Sequence, residues 1–505
     1  MVLGDYGLGI LPEKGQGYRR HLRAVSQEAH RLGLRVIASV CPVGYSSSLL
    51  RRDPNLAEGL PVRRALFRVR GREASLVPDP AISLTEGGFE QWQGDRAGGW
   101  TWQDAPGSAT FRDTRVGHGG GASMRMESFG ASPKPGTVWV GQSLRVSPFR
   151  QYRLSFWLRT EGVDPPGAVQ ALAITPSEQR LSFQDLDVAP TQDWRRYDVV
   201  FNSLANREVR LALGVAGARG GRLWWDDVAV EEVGQLNVLR RPGCPLVVEG
   251  DDGTRYQEGR DFLPVADPRL GTVPWRGAYE AYHPAPPLRL APGTRLREGQ
   301  RLRVSFYAPV LVKRSQVTCC LSEPRVYSLL AQQVKEVEGL LHPWGYLMFH
   351  DEIRVANWCA ACQARKRTPG ALLADNVRRC AALVRRAHPK APLFVWSDMF
   401  DPSHNATSGY YLTNGSWAGS WKGLPRDVGV LNWNYERRAR SLPFFAKQGH
   451  PQILAGYYDG DPSRIAGWLK DARGTPRFSG VLYTTWQSRY GDLEAFARAA
   501  WGGKG

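Results

Sequence analysis

The sequence predicts an α/β protein: a (β/α)8 TIM barrel interrupted by an inserted β-sandwich (jelly roll) and a second small β-rich domain. Three observations carry this. Strand and helix patterns alternate without interruption from about residue 302 to the end. A stretch of about 150 residues, 84–234, lacks helical periodicity altogether. A short strand-helix-strand set at the very start matches the later alternation in kind.

The elements follow in order. Residues 2–6 read as a strand, and 17–33 as a helix with apolar positions at Leu22, Val25, Ala29 and Leu32 that stops at Gly33. Leu34 to Val40 gives a second strand. The alternation resumes with strand 302–308, helix 324–341, strand 345–350, helix 370–388 and strand 392–397. Strand 428–433, helix 436–447, strand 451–457, helix 462–473, strand 479–485 and helix 490–501 complete it. Counting gives eight strands, most followed by a helix. Between the two parts, runs such as Tyr152 to Arg159, Tyr197 to Phe201 and Val209 to Leu213 alternate with period two and end at Gly, Pro, Asp or Asn. Such spacing predicts a sandwich. Residues 235–300 form another β-rich piece, with Asp251-Asp252-Gly253-Thr254 as a hairpin turn. The expected domains are therefore 1–80 and 301–505 for the barrel, 84–234 for the sandwich and 235–300 for the second insertion.

Composition narrows the function classes. The 505 residues are 42% hydrophobic and carry a formal net charge of +18. The arginines behind that charge are spread along the chain rather than gathered in a stripe or a recognised module, so a nucleic-acid partner is not expected. No apolar segment approaches membrane-spanning length, so no membrane partner is expected. Met1-Val2-Leu3 enters a strand directly and no signal peptide is read there, which leaves localisation open, with an extracellular or periplasmic place compatible. Of seven cysteines, Cys359 and Cys362 form a C-x-x-C that zinc or disulfides with Cys319-Cys320 would both explain. A lone C-x-x-C without a second matched pair favours free or structural thiols, so no metal and no cofactor are expected.

The chemistry is sought at strand ends, where barrels of this type build their sites. The apolar run Tyr346-Leu347-Met348-Phe349 ends abruptly in His350-Asp351-Glu352. Two adjacent carboxylates at the end of a buried strand need partners or shifted pKa values. Other strand ends supply Asp5, Trp396 and Asp398, Trp433, Tyr457, Tyr458 and Asp459, and Trp486. Aromatic faces stack on a pyranose, and polar groups answer its hydroxyls. Cleaving a glycosidic bond needs one carboxylic acid to protonate the leaving oxygen and a second group to stabilise an oxocarbenium-like transition state. Asp351 and Glu352 are thus the expected catalytic pair. His350, Trp396, Asp398, Trp433, Tyr457, Tyr458, Asp459, Trp486 and Asp5 are the expected substrate-binding set, for an oligo- or polysaccharide. The plain alternative for the acidic pair is a helix cap or an ion pair to Arg354.

Two resemblances add to this reading. Gly87-Gly88-Phe89-Glu90, Trp100, Gly120-Gly121-Ala122-Ser123 and Leu223-Trp224-Trp225-Asp226-Asp227-Val228 occur in the order seen in jelly-roll carbohydrate-binding modules of families 4 and 9, which the 84–234 stretch resembles. If that module binds sugar, Trp92, Trp100 and Trp102 are its exposed candidates. The Asp351-Glu352 pair, with Trp396-x-Asp398, Trp433 and Trp486, resembles the family 20 glycoside hydrolases, the β-N-acetylhexosaminidases. That likeness implies Glu352 as general acid/base, Asp351 orienting a substrate acetamido group, and Tyr457 or Tyr458 bonding the acetamido oxygen. The sequence departs from the family at Phe349-His350, where two glycines are usual, at Asp5, where an arginine is usual, and at Gln487-Ser488-Arg489.

The expected activity is a glycosidase, exo-acting and retaining, on β-linked hexosaminides or related hexosides. Two alternatives stand beside it: a retaining enzyme with Glu352 as acid/base and Asp459 as nucleophile, or a non-catalytic glycan-binding protein.

Overall fold

The computed structural model describes residues 1–275, 277–313 and 316–502. It divides into two compact units. One comprises Met1–Glu58 and Val317–Gly505 with a short excursion at 273–276; the other holds the chain between.

The first unit is built on one seven-stranded sheet. Its strands are β1 (Val2–Leu3), β2 (Ile37–Val40), β3 (Gly345–Met348), β4 (Leu393–Trp396), β5 (Gly429–Asn432), β6 (Gln452–Tyr458) and β7 (Phe478–Thr484), and they neighbour one another in that order. Every pairing is parallel, for instance Ile37 opposite Gly345 and Tyr346 opposite Leu393. Strands β3 and β4 are buried at every position, as parallel strands covered on both faces must be. Side chains of one face meet in a cluster of Leu347, Phe394, Trp396, Leu431 and Ala455, with Val2, Ile37, Phe349, Trp433, Ile453 and Leu482 against it, so the sheet curls around this core. The other face is covered by helices; Tyr457, Leu454, Ile465, Trp468 and Phe496 pack together there.

Helix ends follow capping chemistry. In helix Pro369–Ala387, Pro369 sits at the first turn and the Thr368 hydroxyl accepts from Ala371 N at 3.2 Å. Among the described residues, no helix is long and apolar enough to cross a membrane.

The expectation of a (β/α)8 barrel is overturned. The parallel sheet has seven strands, β1 and β7 do not pair, and the sheet stays open. The segment counted as the third barrel strand, Arg301–Ala308, lies in the other unit. There it pairs antiparallel with Leu60–Arg70 and Val247–Gly250, in a six-stranded sheet completed by Arg255–Tyr256, Glu73–Leu76 and Leu288–Arg289. Its burial alternates, with Leu302, Val304 and Phe306 inside and Arg301 exposed, which is the signature of a strand wet on one face.

The same unit holds a sandwich of two antiparallel sheets. One orders Val169–Ile174, Glu208–Ala216, Thr137–Arg145 and Trp102–Gln103; the other orders Gln192–Asn202, Gln151–Asp164, Gly220–Glu232, Ser123–Met126 and Thr110–Asp113. Alternate residues of the long strands, such as Leu154, Phe156, Val138, Val140, Leu211 and Leu213, fill the buried core. Trp225 is fully buried and meets Phe156 edge to face at 5.0 Å.

Candidate functional site

Carboxyls and aromatic rings gather where the parallel strands end. The chain leaves β3 through Phe349 and His350 into Asp351 and Glu352, and Glu352 sits in the left-handed region with φ 46°. For a side-chain-bearing residue that conformation is costly and persists only when the surroundings fix it. Three contacts do so. The Glu352 amide donates to Asp398 Oδ2 at 2.9 Å, the Tyr45 hydroxyl donates to Glu352 Oε2, and Arg354 Nη2 pairs with the same oxygen at 2.5 Å. Arg354 also donates to the Tyr45 hydroxyl at 3.2 Å and lies over the Tyr45 and Tyr411 rings. The loop after β2 passes close beneath: a Cβ at Gly44 would come within 2.0 Å of the Asp351 carbonyl oxygen, so only glycine fits.

The neighbouring acids differ in environment. Asp398, just after β4, is fully buried and accepts from Glu352 N, Asn405 Nδ2 at 2.9 Å and Trp433 Nε1 at 3.4 Å. Burial raises its pKa to about 6, with the charge of Glu352 adding to the shift against these donors. Asp351 is pushed well above the ordinary carboxyl range, first by burial and then by the charges of Asp398 and Glu352. Its Oδ1 has no hydrogen-bond partner among the described residues. Glu352, by contrast, is tied to a guanidinium. A buried carboxyl whose protonated form is favoured therefore stands beside one paired with a guanidinium.

Aromatic residues border the acids. Trp433 stacks on Tyr458 at 5.5 Å, Tyr458 meets Trp486 at 6.4 Å, and Trp486 meets Trp396 and Phe349 at 6.1 and 6.2 Å. About half of Tyr458 and of Trp486 is open to solvent. The Tyr458 phenol is raised to about 12 by burial and by the charges of Glu352, Asp351 and Asp398. His404 packs edge-on to Trp433 at 4.7 Å, and burial lowers it to about 4, so it is neutral at physiological pH. His404 Nδ1 and Trp396 Nε1, like Asp351 Oδ1, are buried with no hydrogen-bond partner among the described residues.

Of the residues expected from sequence, Asp351, Glu352, Trp396, Asp398, Trp433, Tyr458 and Trp486 come together here. Four lie otherwise. Tyr457 points to the helical face, stacks on Tyr483 at 4.1 Å and donates to Asp492 at 2.7 Å. His350 is fully buried against Asn376 Oδ1 at 2.9 Å. Asp5 caps the short turn Tyr6–Gly9, accepting from Gly7 N and from the Tyr18 hydroxyl at 2.6 Å. Asp459 accepts from the Thr485 hydroxyl, Trp486 N at 2.6 Å and Gln487 N at 3.2 Å, so both of its oxygens hold the loop that carries Trp486.

Tyr45, Arg354, Asn405, Tyr410 and Tyr411 were not in the expected set. Tyr45 and Arg354 meet across 309 positions of sequence, a pairing no local pattern reveals. The Tyr410-Tyr411 pair in a Gly- and Ser-rich loop after β4 was the readable signal.

On the sandwich, Trp100 is buried and stacks on Phe89 at 4.8 Å, which corrects its expected exposure. Trp92 and Trp102 are half-buried, and Trp102 lies with Trp139, Leu172, Ile174 and Ala212 on the four-stranded sheet, under the Arg210 guanidinium at 5.0 Å.

No family model matches the chain, and no curated protein matches it. The family 20 likeness therefore stays with the motif residues alone. Among solved structures, a segment covering 30% of this chain is similar to carbohydrate-binding modules. One is a family 16 module (16% identity, 99% of that chain, TM-score 0.21). Another is a family 61 module solved with β-1,4-galactotriose (16%, 97%, 0.20). A third is the xylan-binding family 22 module of Paenibacillus barcinonensis Xyn10C (14%, 94%, 0.22). At these scores the sandwich rests on its own strand pairings.

Proposed function

We propose that the protein is a glycoside hydrolase acting on a hexose or hexosaminide held at the ends of the parallel strands. One arrangement carries the reading: a buried Asp351, its carboxyl pushed above the ordinary range by burial and by the charges of Asp398 and Glu352, stands beside Glu352 in an ion pair with Arg354, behind a row of aromatic rings. Glycosidic cleavage needs those two complementary states. The sugar ring packs against the half-exposed Tyr458 and Trp486. Asp351 passes its proton to the glycosidic oxygen as the bond to the anomeric carbon breaks. The Glu352 carboxylate opposes the positive charge that develops on the ring, and water supplies the hydroxyl and returns a proton to Asp351. This makes Asp351 the donor, the reverse of the order implied by the family 20 likeness. Asp398 and Arg354 are positioning residues, Asp398 through the Glu352 amide and Arg354 through its carboxylate.

A second reading is glycan binding without cleavage, favoured by the Tyr45 and Arg354 contacts that occupy Glu352 Oε2. Carbohydrate binding is also how the sandwich neighbours are described; for this chain either reading rests on the acidic, aromatic strand-end cluster.

A panel of aryl glycosides, including N-acetylglucosaminide, galactoside, glucoside and glucuronide, tests the proposal together with calorimetric titration of the matching free sugars. Release of the aryl group that falls by a factor of about 10² to 10³ in Glu352→Gln supports hydrolysis. Binding without release supports the second reading, and neither binding nor release defeats both.

A further inference from the structure

Three sulfurs and one carboxylate converge away from the sugar site. Glu58, Cys320, Cys359 and Cys362 are all buried, and their ligand atoms lie within 4.8 Å of one another. Cys320 Sγ stands 3.4 Å from Cys359 Sγ and 3.6 Å from Cys362 Sγ. Glu58 Oε2 stands 3.3 Å from Cys359 Sγ and 3.5 Å from Cys362 Sγ. No disulfide joins any of the seven cysteines.

These are the edges of a metal tetrahedron. With zinc about 2.3 Å from sulfur and about 2.0–2.2 Å from a carboxylate oxygen, tetrahedral angles give sulfur-sulfur edges of about 3.8 Å and sulfur-oxygen edges of about 3.5 Å. The observed distances fall a few tenths of an ångström or less from these. The second oxygen of Glu58 is already oriented: Oε1 accepts from Trp358 N at 2.7 Å and Cys359 N at 2.8 Å, which turns Oε2 toward the sulfurs. Backbone support of this kind fixes a ligand before the metal arrives. Cys359 also caps the short helix Ala360–Ala364, the usual setting of a C-x-x-C ligand pair. A buried carboxylate among thiols is expensive, and a divalent cation converts that cost into binding.

We infer that Glu58, Cys320, Cys359 and Cys362 form a structural zinc site. Soft thiolates in a closed tetrahedral set select zinc over the hard cations, and a full complement of four protein ligands leaves no open position for catalysis. The partner of the C-x-x-C is thus Cys320 with Glu58. Cys319 stands apart, its Sγ facing Val43 O at 3.9 Å.

The placement says what the ion does. Glu58 is the last residue before the chain leaves the parallel-sheet unit, and Cys320 lies just after it returns. The two passages already touch through Glu58 N to Thr318 O at 2.8 Å and Cys320 N to Leu56 O at 2.9 Å. Cys359 and Cys362 end the loop that begins at Asp351. One ion would therefore clamp both ends of the insertion to the loop that carries the acidic pair.

The full chain, purified without chelator, is expected to hold about one zinc, released when its thiols are titrated with a mercurial. Cobalt exchanged into the site is expected to show sulfur-to-metal charge transfer and the intense red-region bands of tetrahedral coordination. Cys362→Ser should lose the metal, Glu58→Gln should weaken it, and Cys244→Ser should leave the stoichiometry unchanged. The wild-type cobalt spectrum needs no variant to fold. No uptake of zinc or cobalt by the reduced chain, an octahedral cobalt spectrum, or a Cys320 disulfide to Cys359 or Cys362 in non-reducing peptide mapping would overturn the site.

Discussion

Replacing Asp398 with asparagine removes the most deeply buried acid of the strand-end cluster while keeping its shape, and the consequence for stability is set by pH. Asp398 titrates at about 6 in the folded chain against 3.8 for an ordinary aspartate, chiefly because it is desolvated. Well below pH 4 the residue is neutral in both states. As pH rises, the unfolded chain releases its proton first while the folded chain holds on. Each step then favours unfolding until the folded residue also ionises near pH 6. Integrated to pH 7, a shift of this size removes about 3 kcal/mol from the folded state. An asparagine at this position does not titrate, so the wild-type stability relative to Asp398→Asn should fall by about that amount between pH 3 and pH 7. Part of the absolute difference at any pH reflects the donors at Glu352, Asn405 and Trp433, one of which an amide cannot satisfy. That part does not depend on pH, and titrations of groups that Asp398 does not influence, His404 among them, cancel in the comparison; Asp351, which the Asp398 charge pushes up, shifts the gap in the same direction. Scanning calorimetry of both proteins across this range reads the effect. At roughly 2–4 °C per kcal/mol for a unit of some 250 residues, the gap in melting temperature should move by about 6–12 °C. A gap that stays constant from pH 3 to pH 7 would refute the burial argument for Asp398.

Three further outcomes follow from the same contacts. Trp486→Ala removes one wall of the proposed sugar platform and should weaken substrate or sugar binding by about tenfold, seen as a raised KM or Kd with melting temperature nearly unchanged, since half of the ring is exposed. Asp459→Ala frees the Thr485-to-Gln487 turn and should raise KM in the same direction; azide should not rescue it, because both carboxylate oxygens serve the loop. Trp225→Ala empties the sandwich core beside Phe156 and should cost about 3–5 kcal/mol, measured by chemical denaturation of the sandwich's transition.

Much of the local structure was legible. The helix at Pro324–Leu341 matches its predicted bounds, and strands β3 to β7 fall within a few residues of theirs, because continuous apolar runs flanked by 3.6-period segments are strong signals. The barrel failed on one segment. Residues 301–308 alternate Arg-Leu-Arg-Val-Ser-Phe, a period-two pattern unlike the unbroken apolar run Tyr346-Leu347-Met348, and that contrast separates an antiparallel half-wet strand from a parallel buried one. Counting it by position in the alternation, without weighing its pattern, produced the eighth strand. The acidic pair and the tryptophans at 396, 433 and 486 were visible because charged and aromatic residues are conspicuous at the end of a buried strand. Their division of labour was not. The difference between Asp351 and Glu352 comes from the burial of Asp351 near Asp398 and from the Arg354 and Tyr45 contacts to Glu352; the Arg354 ion pair was readable as an alternative, whereas the burial and the Tyr45 contact, which spans most of the chain, depend on how the sheet curls. Trp100 likewise looked like a surface aromatic until its stacking on Phe89 placed it in the core.

The proposed split between Asp351 as proton donor and Glu352 as ion-paired carboxylate is tested most directly by a leaving-group series. Aryl glycosides whose phenols span a wide range of acidity are hydrolysed by the wild type, by Asp351→Asn and by Glu352→Gln. Loss of the proton donor should slow Asp351→Asn steeply on poor leaving groups and barely on dinitrophenolate, whereas Glu352→Gln should be slow on all of them. An Asp351→Asn variant slowed equally across the series, or the steep dependence appearing in Glu352→Gln instead, would contradict the assignment.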